Sequence, residues 1–187
     1  MSPTKRFLGL LCLTAPLWLP FAPAARGDTI AVQSAELRAE DENYVLNAQF
    51  DFAFNPTLEE ALQKGVSLYF VLEFELTRPR WYWLDEKVVS ESVQYRISYS
   101  PLTQQYRVAT GLLGQQLASL EEVEHLLGRV ASRPVIAIDA LTKGARYDAA
   151  VRLRLDVTQL PKPFQINALA SRDWSLQSEW YRWSFVP

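Results

Sequence analysis

The sequence predicts an all-β fold, mainly antiparallel: a β-sandwich of immunoglobulin-like or related topology with two short helices. Three observations indicate this class. Apolar residues recur at every second position in several stretches, turn-forming segments separate these stretches, and strands do not alternate with long helices as they do in a parallel sheet. We therefore expect seven or eight strands in a single β-sandwich domain over residues 28–187, in an order that the sequence does not determine.

The first predicted element is a β-hairpin. Its first strand lies near residues 30–40, and the polar turn Asp41-Glu42-Asn43 leads into its second strand. In that second strand six apolar side chains share one parity, and the polar Asn47, Gln49 and Asp51 occupy the other, as a half-buried strand requires. The apolar set comprises Tyr44, Leu46, Ala48, Phe50, Phe52 and Phe54.

The later strands follow the same rule. Residues 66–77 alternate over a long third strand, and residues 93–108 form a second hairpin closed by Ser100-Pro101-Leu102-Thr103. Three shorter strands complete the prediction, at residues 135–139, 151–157 and 180–185.

Two helices interrupt the strands. Thr57 and Glu60 stand at capping-box spacing, which predicts a helix of about two turns that ends at Lys64-Gly65. Ser119 and Glu122 form a second capping box. Behind it, an apolar stripe predicts an amphipathic helix that continues to the Ser132-Arg133-Pro134 break: Leu120, Val123, Leu126, Leu127 and Val130.

The first 27 residues are typical of an export signal. Lys5 and Arg6 supply a positive n-region, residues 7–21 are apolar, and small residues follow, so we expect cleavage after Ala24 or Gly27. The apolar run is shorter than the roughly 20 residues that a spanning helix needs, and prolines interrupt it. We therefore expect a protein outside the cytoplasm, with no stable membrane insertion after cleavage.

Charge and cysteine content restrict the function. The chain has 19 basic and 21 acidic residues, and removal of Lys5 and Arg6 leaves 17 against 21, a net charge of −4. Loss of Arg26 as well gives −5, and such a surface disfavours nucleic acid as a partner. The single cysteine, Cys12, lies in the predicted signal, so the fold must hold without disulfides.

Catalytic chemistry has little support in the sequence, and we expect no catalytic residue, no metal and no cofactor. His125 is the single histidine and has no partner of the kind that a metal site or a nucleophile requires. Glu73 and Glu75 would project from one strand face about 7 Å apart. They suit either a hydrolase acid/base pair or, as we prefer, a charged solvent face.

Two sets of residues are candidates for binding. Trp81 and Trp83 lie on one side of an extended segment and suit recognition of a partner or a sugar; the alternative is that they cover the end of the core. The second set lies in the segment from Leu160 to Trp174, which its prolines predict to be an ordered crossover loop. Its polar residues Lys162, Asn167, Arg172 and Asp173 suit a recognition surface; the alternative is that the loop serves only the geometry of the crossover.

The chain resembles a known family in these same regions. Residues 160–169 (LPKPFQINAL), 171–174 (SRDW), 178–185 (SEWYRWSF) and 80–83 (RWYW), with the early hairpin, are similar to the exported proteobacterial domain of unknown function family DUF4390. The resemblance implies a periplasmic protein of the bacterial envelope, sometimes encoded beside a nitrogen-type two-component sensor kinase. It implies no catalytic residues.

Three functions follow as hypotheses. The first is an exported, non-catalytic interaction module that binds an envelope protein, with a membrane sensor kinase as one candidate. The second is a sandwich that binds a glycan or a small ligand through Trp81 and Trp83. The third is an envelope hydrolase that uses Glu73 and Glu75.

Overall fold

The computed structural model describes residues 29–82 and 84–187. Nine strands and three α-helices are present in this part of the chain, together with three short 3₁₀ turns. The strands are β1 (Ala31–Glu40), β2 (Asn43–Asp51), β3 (Leu68–Arg78), β4 (Glu86–Ser100), β5 (Gln105–Thr110), β6 (Leu113–Leu117), β7 (Arg129–Ala137), β8 (Tyr147–Leu155) and β9 (Tyr181–Phe185). The helices are α1 (Pro56–Gln63), α2 (Leu120–Leu127) and α3 (Lys162–Ala170), and the 3₁₀ turns are Ile138–Ala140, Val157–Gln159 and Arg172–Trp174.

The strands form two sheets. One has the order β1-β2-β7, and the other has the order β6-β5-β4-β3-β8-β9. Every pair of neighbouring strands is antiparallel. The predicted fold class, a mainly antiparallel β-sandwich, is therefore confirmed at the level of two packed sheets.

The first hairpin forms as its alternation predicts. Tyr44, Leu46, Ala48 and Phe50 of β2 are buried, and β1 pairs with β2 across a turn in which Asp41 has φ of 49°. Phe54 is also buried but lies beyond the strand. The alternation therefore predicts which face of β2 meets the core, because a shift by one residue would move every side chain to the other face.

The hairpin of β3 and β4 forms the centre of the larger sheet. β3 lies between β4 and β8, with Leu68 opposite Ile97 at one end of the hairpin and Arg78 opposite Glu86 at the other. A strand of 11 residues spans roughly 35 Å at about 3.4 Å per residue. The two ends of this hairpin are therefore far apart.

The core contains buried side chains from both sheets and the helices. Phe54 and Phe70 meet edge to face at 5.7 Å between ring centroids, and Tyr44 of the smaller sheet meets Phe185 of the larger sheet at 5.0 Å. Burial of each large apolar side chain stabilises the fold by about 1.5–3 kcal/mol. The aromatic side chains of β9 are only partly in the core, since Phe185 is half-buried and Tyr181 is exposed.

The two predicted helices exist, with corrected boundaries. Asn55, not Thr57, caps α1, because its side chain accepts the Leu58 N–H at 2.9 Å and Pro56 supplies the preset first helical position. Ser119 caps α2 as predicted. That helix ends at Leu127, so the stripe that predicted its continuation through Val130 was wrong.

Gly128 explains where α2 stops. Its carbonyl accepts the Phe50 N–H at 2.7 Å, which draws the next residues into pairing with β2. A Cβ at this position would lie 2.7 Å from the Phe50 carbonyl oxygen, so only glycine fits. Strand β7 therefore begins at Arg129, earlier than predicted, and it contains Pro134, which an edge strand tolerates.

Two further elements differ from the prediction. The segment that was expected to be a crossover loop contains α3, because prolines at and just after a helix start occupy positions that need no N–H partner. Strand β6 was not predicted, since Gly-Gln-Gln in its centre shows no apolar alternation. Gly111, with φ of 57°, makes the turn that pairs β6 with β5.

Candidate interaction surface

Among its described residues, the loop between β3 and β4 carries three exposed apolar side chains, which we call the aromatic tip: Trp81, Tyr82 and Leu84. Their exposed fractions are 93%, 66% and 82%. The rings of Trp81 and Tyr82 meet edge to face at 5.2 Å between centroids. Large side chains of this kind are usually buried, so three of them on one loop form a surface that requires an explanation.

The base of this loop is held by polar contacts. The Arg80 guanidinium lies 2.5 Å from the Glu86 carboxylate, and the Arg80 N–H donates to the Asp85 carboxylate at 3.3 Å. At this end of the β3–β4 ladder, Arg78 lies opposite Glu86. The aromatic tip is therefore presented at the end of a long, paired hairpin, which is where binding residues concentrate in proteins.

The structure excludes one of the two interpretations of Trp81. A ring that covered the end of the core would be largely buried, whereas almost the whole Trp81 side chain is exposed. The core alternative is therefore wrong for Trp81, and the segment is a turn rather than extended chain. Trp83, the second predicted tryptophan, lies outside the described residues.

The second predicted set lies on α3 and the turn that follows it. Lys162 and Asn167 are exposed on the helix, and Arg172 is exposed in the turn Arg172–Trp174. Gln165 ties the helix to the preceding segment by donating to the Thr158 and Leu160 carbonyls at 2.8 and 2.7 Å. These exposed side chains sit on an ordered helical surface.

Asp173 has a different role from the other three. Its carboxylate accepts hydrogen bonds from the hydroxyls of Ser171 at 2.9 Å and Thr57 at 3.3 Å. Its carbonyl accepts the Asn55 side-chain amide at 2.7 Å. Beside it, Trp174 is buried against Phe164 at 5.8 Å. Asp173 therefore joins this turn to the start of α1, and its polar groups are engaged within the fold.

The two predicted sets do not form one site. The segment with Lys162 follows β8. At this end of the sheet the backbone N–H of Asp156 donates to the Tyr69 carbonyl at 2.7 Å, near the start of β3. Trp81 lies beyond the other end of β3. The length of that strand, roughly 35 Å, separates them.

Glu73 and Glu75 share the outer face of the larger sheet, as predicted, but cations already engage both. Arg152 and Arg154 bind the Glu73 carboxylate, with Arg154 at 3.1 Å, and Lys87 lies 2.7 Å from Glu75. Burial alone would raise the Glu73 pKa, but the hydrogen bonds from Arg152 and Arg154 outweigh it and hold the pKa below its ordinary value. A general acid requires the opposite shift.

The region around His125 offers one perturbed carboxyl group. Burial raises the pKa of Glu124, although its carboxylate accepts the Phe54 N–H at 2.7 Å. His125 itself is exposed on α2. In residues 29–82 and 84–187, no group of three or more histidine, cysteine or acidic side chains is placed to hold a metal ion.

Sequence reasoning named Trp81 as a candidate for binding but did not name Tyr82 and Leu84, which are exposed on the same loop. Both belong to the Arg80-Trp81-Tyr82-Trp83-Leu84 run, and the charged residues on either side of that run were the available signal. Alternation failed there because the loop does not continue the strand. Strand parity says nothing about which side chains face solvent in a turn.

Comparison with known proteins gives one match. The family model for a domain of unknown function, DUF4390, matches residues 27–184. No curated protein and no solved structure matches the chain. Among the described residues, no helix is both long and apolar enough to cross a membrane.

Proposed function

The chain belongs to the DUF4390 family of domains of unknown function, and from this premise we propose that it is an exported, non-catalytic interaction module of the bacterial cell envelope. The proposed partner is an envelope protein. The outer portion of a two-component sensor kinase is the first candidate to test.

The aromatic tip carries the proposal. Trp81, Tyr82 and Leu84 are exposed together on one loop, and tryptophan and tyrosine dominate the residues that contribute most to protein–protein binding. The Arg80 contacts tie the base of this loop and the rings of Trp81 and Tyr82 pack on each other, which lowers the entropy that binding a partner would cost. The engaged carboxylates of Glu73 and Glu75 give no comparable support for a hydrolase.

Affinity capture with matched variants tests the proposal. The full chain, tagged at its C-terminus, is produced in the bacterium that encodes it as wild type, Trp81→Ala or Leu102→Ala, and co-purifying proteins are quantified by mass spectrometry. Leu102 is the control because it is also apolar and 94% exposed, but lies in the turn between β4 and β5. We expect an envelope protein to co-purify with wild type and with Leu102→Ala. Its amount should be about tenfold or more lower with Trp81→Ala.

Two outcomes contradict the proposal. One is that all three forms retain the same proteins in the same amounts. The other is that the wild type retains no envelope protein above an untagged strain. Retention of wild type but not Trp81→Ala on immobilised cell-wall polysaccharide, with equal protein capture by both, would instead favour the glycan-binding hypothesis.

Export is tested separately. We expect the protein recovered from the periplasmic fraction to begin at Ala25 or Asp28, as measured by intact mass. An uncleaved chain that remains in the cytoplasmic fraction would contradict the proposed location.

A further inference from the structure

An open groove of about 460 Å³ lies between the edges of the two sheets, near β6, α2 and β7. Its apolar lining comes from both sheets and from α2, and includes Val108, Leu113, Leu126 and Val130. Leu113 is 80% exposed, although it shares this lining with buried residues of the core. The groove contains no residue of the aromatic tip.

The strand beside this groove is the least protected sheet edge in the described structure. Edges are normally blunted by charges, proline or bulges, because their outer backbone groups can pair with another chain. Glu36, Arg38 and a register shift protect β1, Pro134 interrupts β7, and β9 carries Arg182. β6, with the sequence Leu-Gly-Gln-Gln-Leu, has none of these features, and its ladder with β5 is regular.

The charged side chains of the groove are both arginines. Arg129 and Arg133 line it, and neither lies within 4 Å of a carboxylate in residues 29–82 or 84–187. The rest of the lining is uncharged. This local positive charge contrasts with the net charge of −2 for the whole chain. The groove is therefore complementary to a ligand that combines apolar groups with carboxylates.

We propose that this groove binds an extended segment of a partner protein, which adds to β6 as a further strand. Backbone hydrogen bonds to the free edge of β6 would supply affinity, as in other cases of strand addition, and alternate side chains would supply specificity. The segment places apolar side chains against Leu113, Leu126 and Val130, and carboxylates beside Arg129 and Arg133. This site is separate from the aromatic tip, so it stands whether or not the tip binds a partner.

Selection from a phage-displayed library of random decapeptides on the purified full chain tests the proposal. We expect enriched peptides that alternate apolar and acidic residues. The most enriched peptide, labelled with fluorescein, should bind about tenfold or more weakly to Arg129→Glu/Arg133→Glu than to wild type in fluorescence anisotropy. Binding to the control Lys64→Glu/Lys143→Glu, which reverses two exposed cations outside the groove and outside the aromatic tip, should change by less than about twofold.

Hydrogen exchange tests strand addition in a way that charge attraction alone would not mimic. Peptide binding should slow amide exchange within residues 113–117, because strand addition protects the outer N–H groups of β6. If the double arginine variant fails to fold, Leu113→Glu replaces it, since this exposed position tolerates a polar side chain and its new carboxylate repels an acidic peptide.

Three results would overturn the proposal. The first is that no peptide is enriched, and the second is that the enriched peptide binds equally to the groove and control variants. The third is a second copy of the chain on this edge, seen as a dimer by light scattering that Leu113→Glu converts to monomer.

Discussion

Trp81 and Trp174 lie at opposite ends of the sheet and have opposite environments. Trp174 is 5% exposed and packs on Phe164 in a turn that Asp173 joins to α1, whereas Trp81 is 93% exposed on the aromatic tip. The residue type is the same, and the surroundings differ. The comparison teaches that one residue type is part of the core at one end of the molecule and part of an exposed surface at the other. Under the proposed function that surface binds a partner, and each prediction below tests this division.

The largest expected effect is on stability at the buried end. Trp174→Ala should lower the free energy of unfolding by about 3–5 kcal/mol, because it removes a large ring from the core and leaves a cavity. Urea denaturation followed by circular dichroism measures this. A loss below about 1 kcal/mol would contradict the view that this turn is part of the core.

The next effect is on binding at the exposed end. Trp81→Ala should weaken binding to the partner by about 2 kcal/mol, or roughly 30-fold, and change the free energy of unfolding by less than about 0.5 kcal/mol. Isothermal titration calorimetry with the purified partner measures the first quantity, and urea denaturation measures the second. A Trp81→Ala variant that loses stability but keeps its binding affinity would contradict the proposed difference between the two ends.

A smaller effect on stability distinguishes polar side chains that are hydrogen-bonded within the fold from exposed ones, near α1 and α3. Asn55→Ala should lower the free energy of unfolding by about 1–2 kcal/mol, because it removes the cap of α1 and the hydrogen bond to the Asp173 carbonyl. Asn167→Ala is the matched control and should change it by less than about 0.5 kcal/mol, because Asn167 is exposed. Equal losses in thermal or urea denaturation would show that exposure does not distinguish these positions.

The smallest effect concerns pH and Glu73, which lies between the two ends. Its folded pKa is held below the unfolded value of about 4.3, so its contribution to stability is fully present above that value and is lost as pH falls through the folded pKa. Glu124, whose pKa is raised, contributes in the opposite direction. Glu73→Gln removes this titrating carboxyl group. Between neutral pH and about pH 3, the free energy of unfolding should therefore fall less in Glu73→Gln than in wild type, with a difference of less than about 1 kcal/mol.

Urea denaturation at several pH values checks this expectation. Glu75→Gln is the control, because it removes a carboxylate from the same sheet face that has one ion-pair partner, Lys87 at 2.7 Å, where Glu73 has two arginines. If Glu73→Gln steepened the loss of stability at acid pH, the sign of the Glu73 effect would be wrong.

The sequence predicts the hairpins well because alternation reports burial directly. Residues such as Leu46 and Phe70 fall on the buried parity of their strands, and the turn at Asp41 separates two strands as expected. Helix α2 begins directly after its cap Ser119, as the capping box predicts. These local rules act within a few residues, so they are readable without knowledge of the tertiary structure.

Other features depend on distant contacts and could not be predicted in this way. Helix α2 ends where Gly128 meets Phe50, and β6 forms because β5 offers an edge rather than because its own sequence alternates. Asp173 is a residue type that suits recognition, but it accepts hydrogen bonds from Asn55 and Thr57, which are distant in the sequence. Exposure of Trp81 likewise depends on where the hairpin ends relative to the core.

The most direct test of the central claim is photo-cross-linking in living cells. A photoreactive amino acid is placed at Tyr82 in the aromatic tip or, as control, at Leu102, both exposed positions in the full chain. The account predicts a discrete, light-dependent adduct with an envelope protein from position 82 and no such adduct from position 102. No adduct from position 82, or the same adducts from both positions, would contradict it.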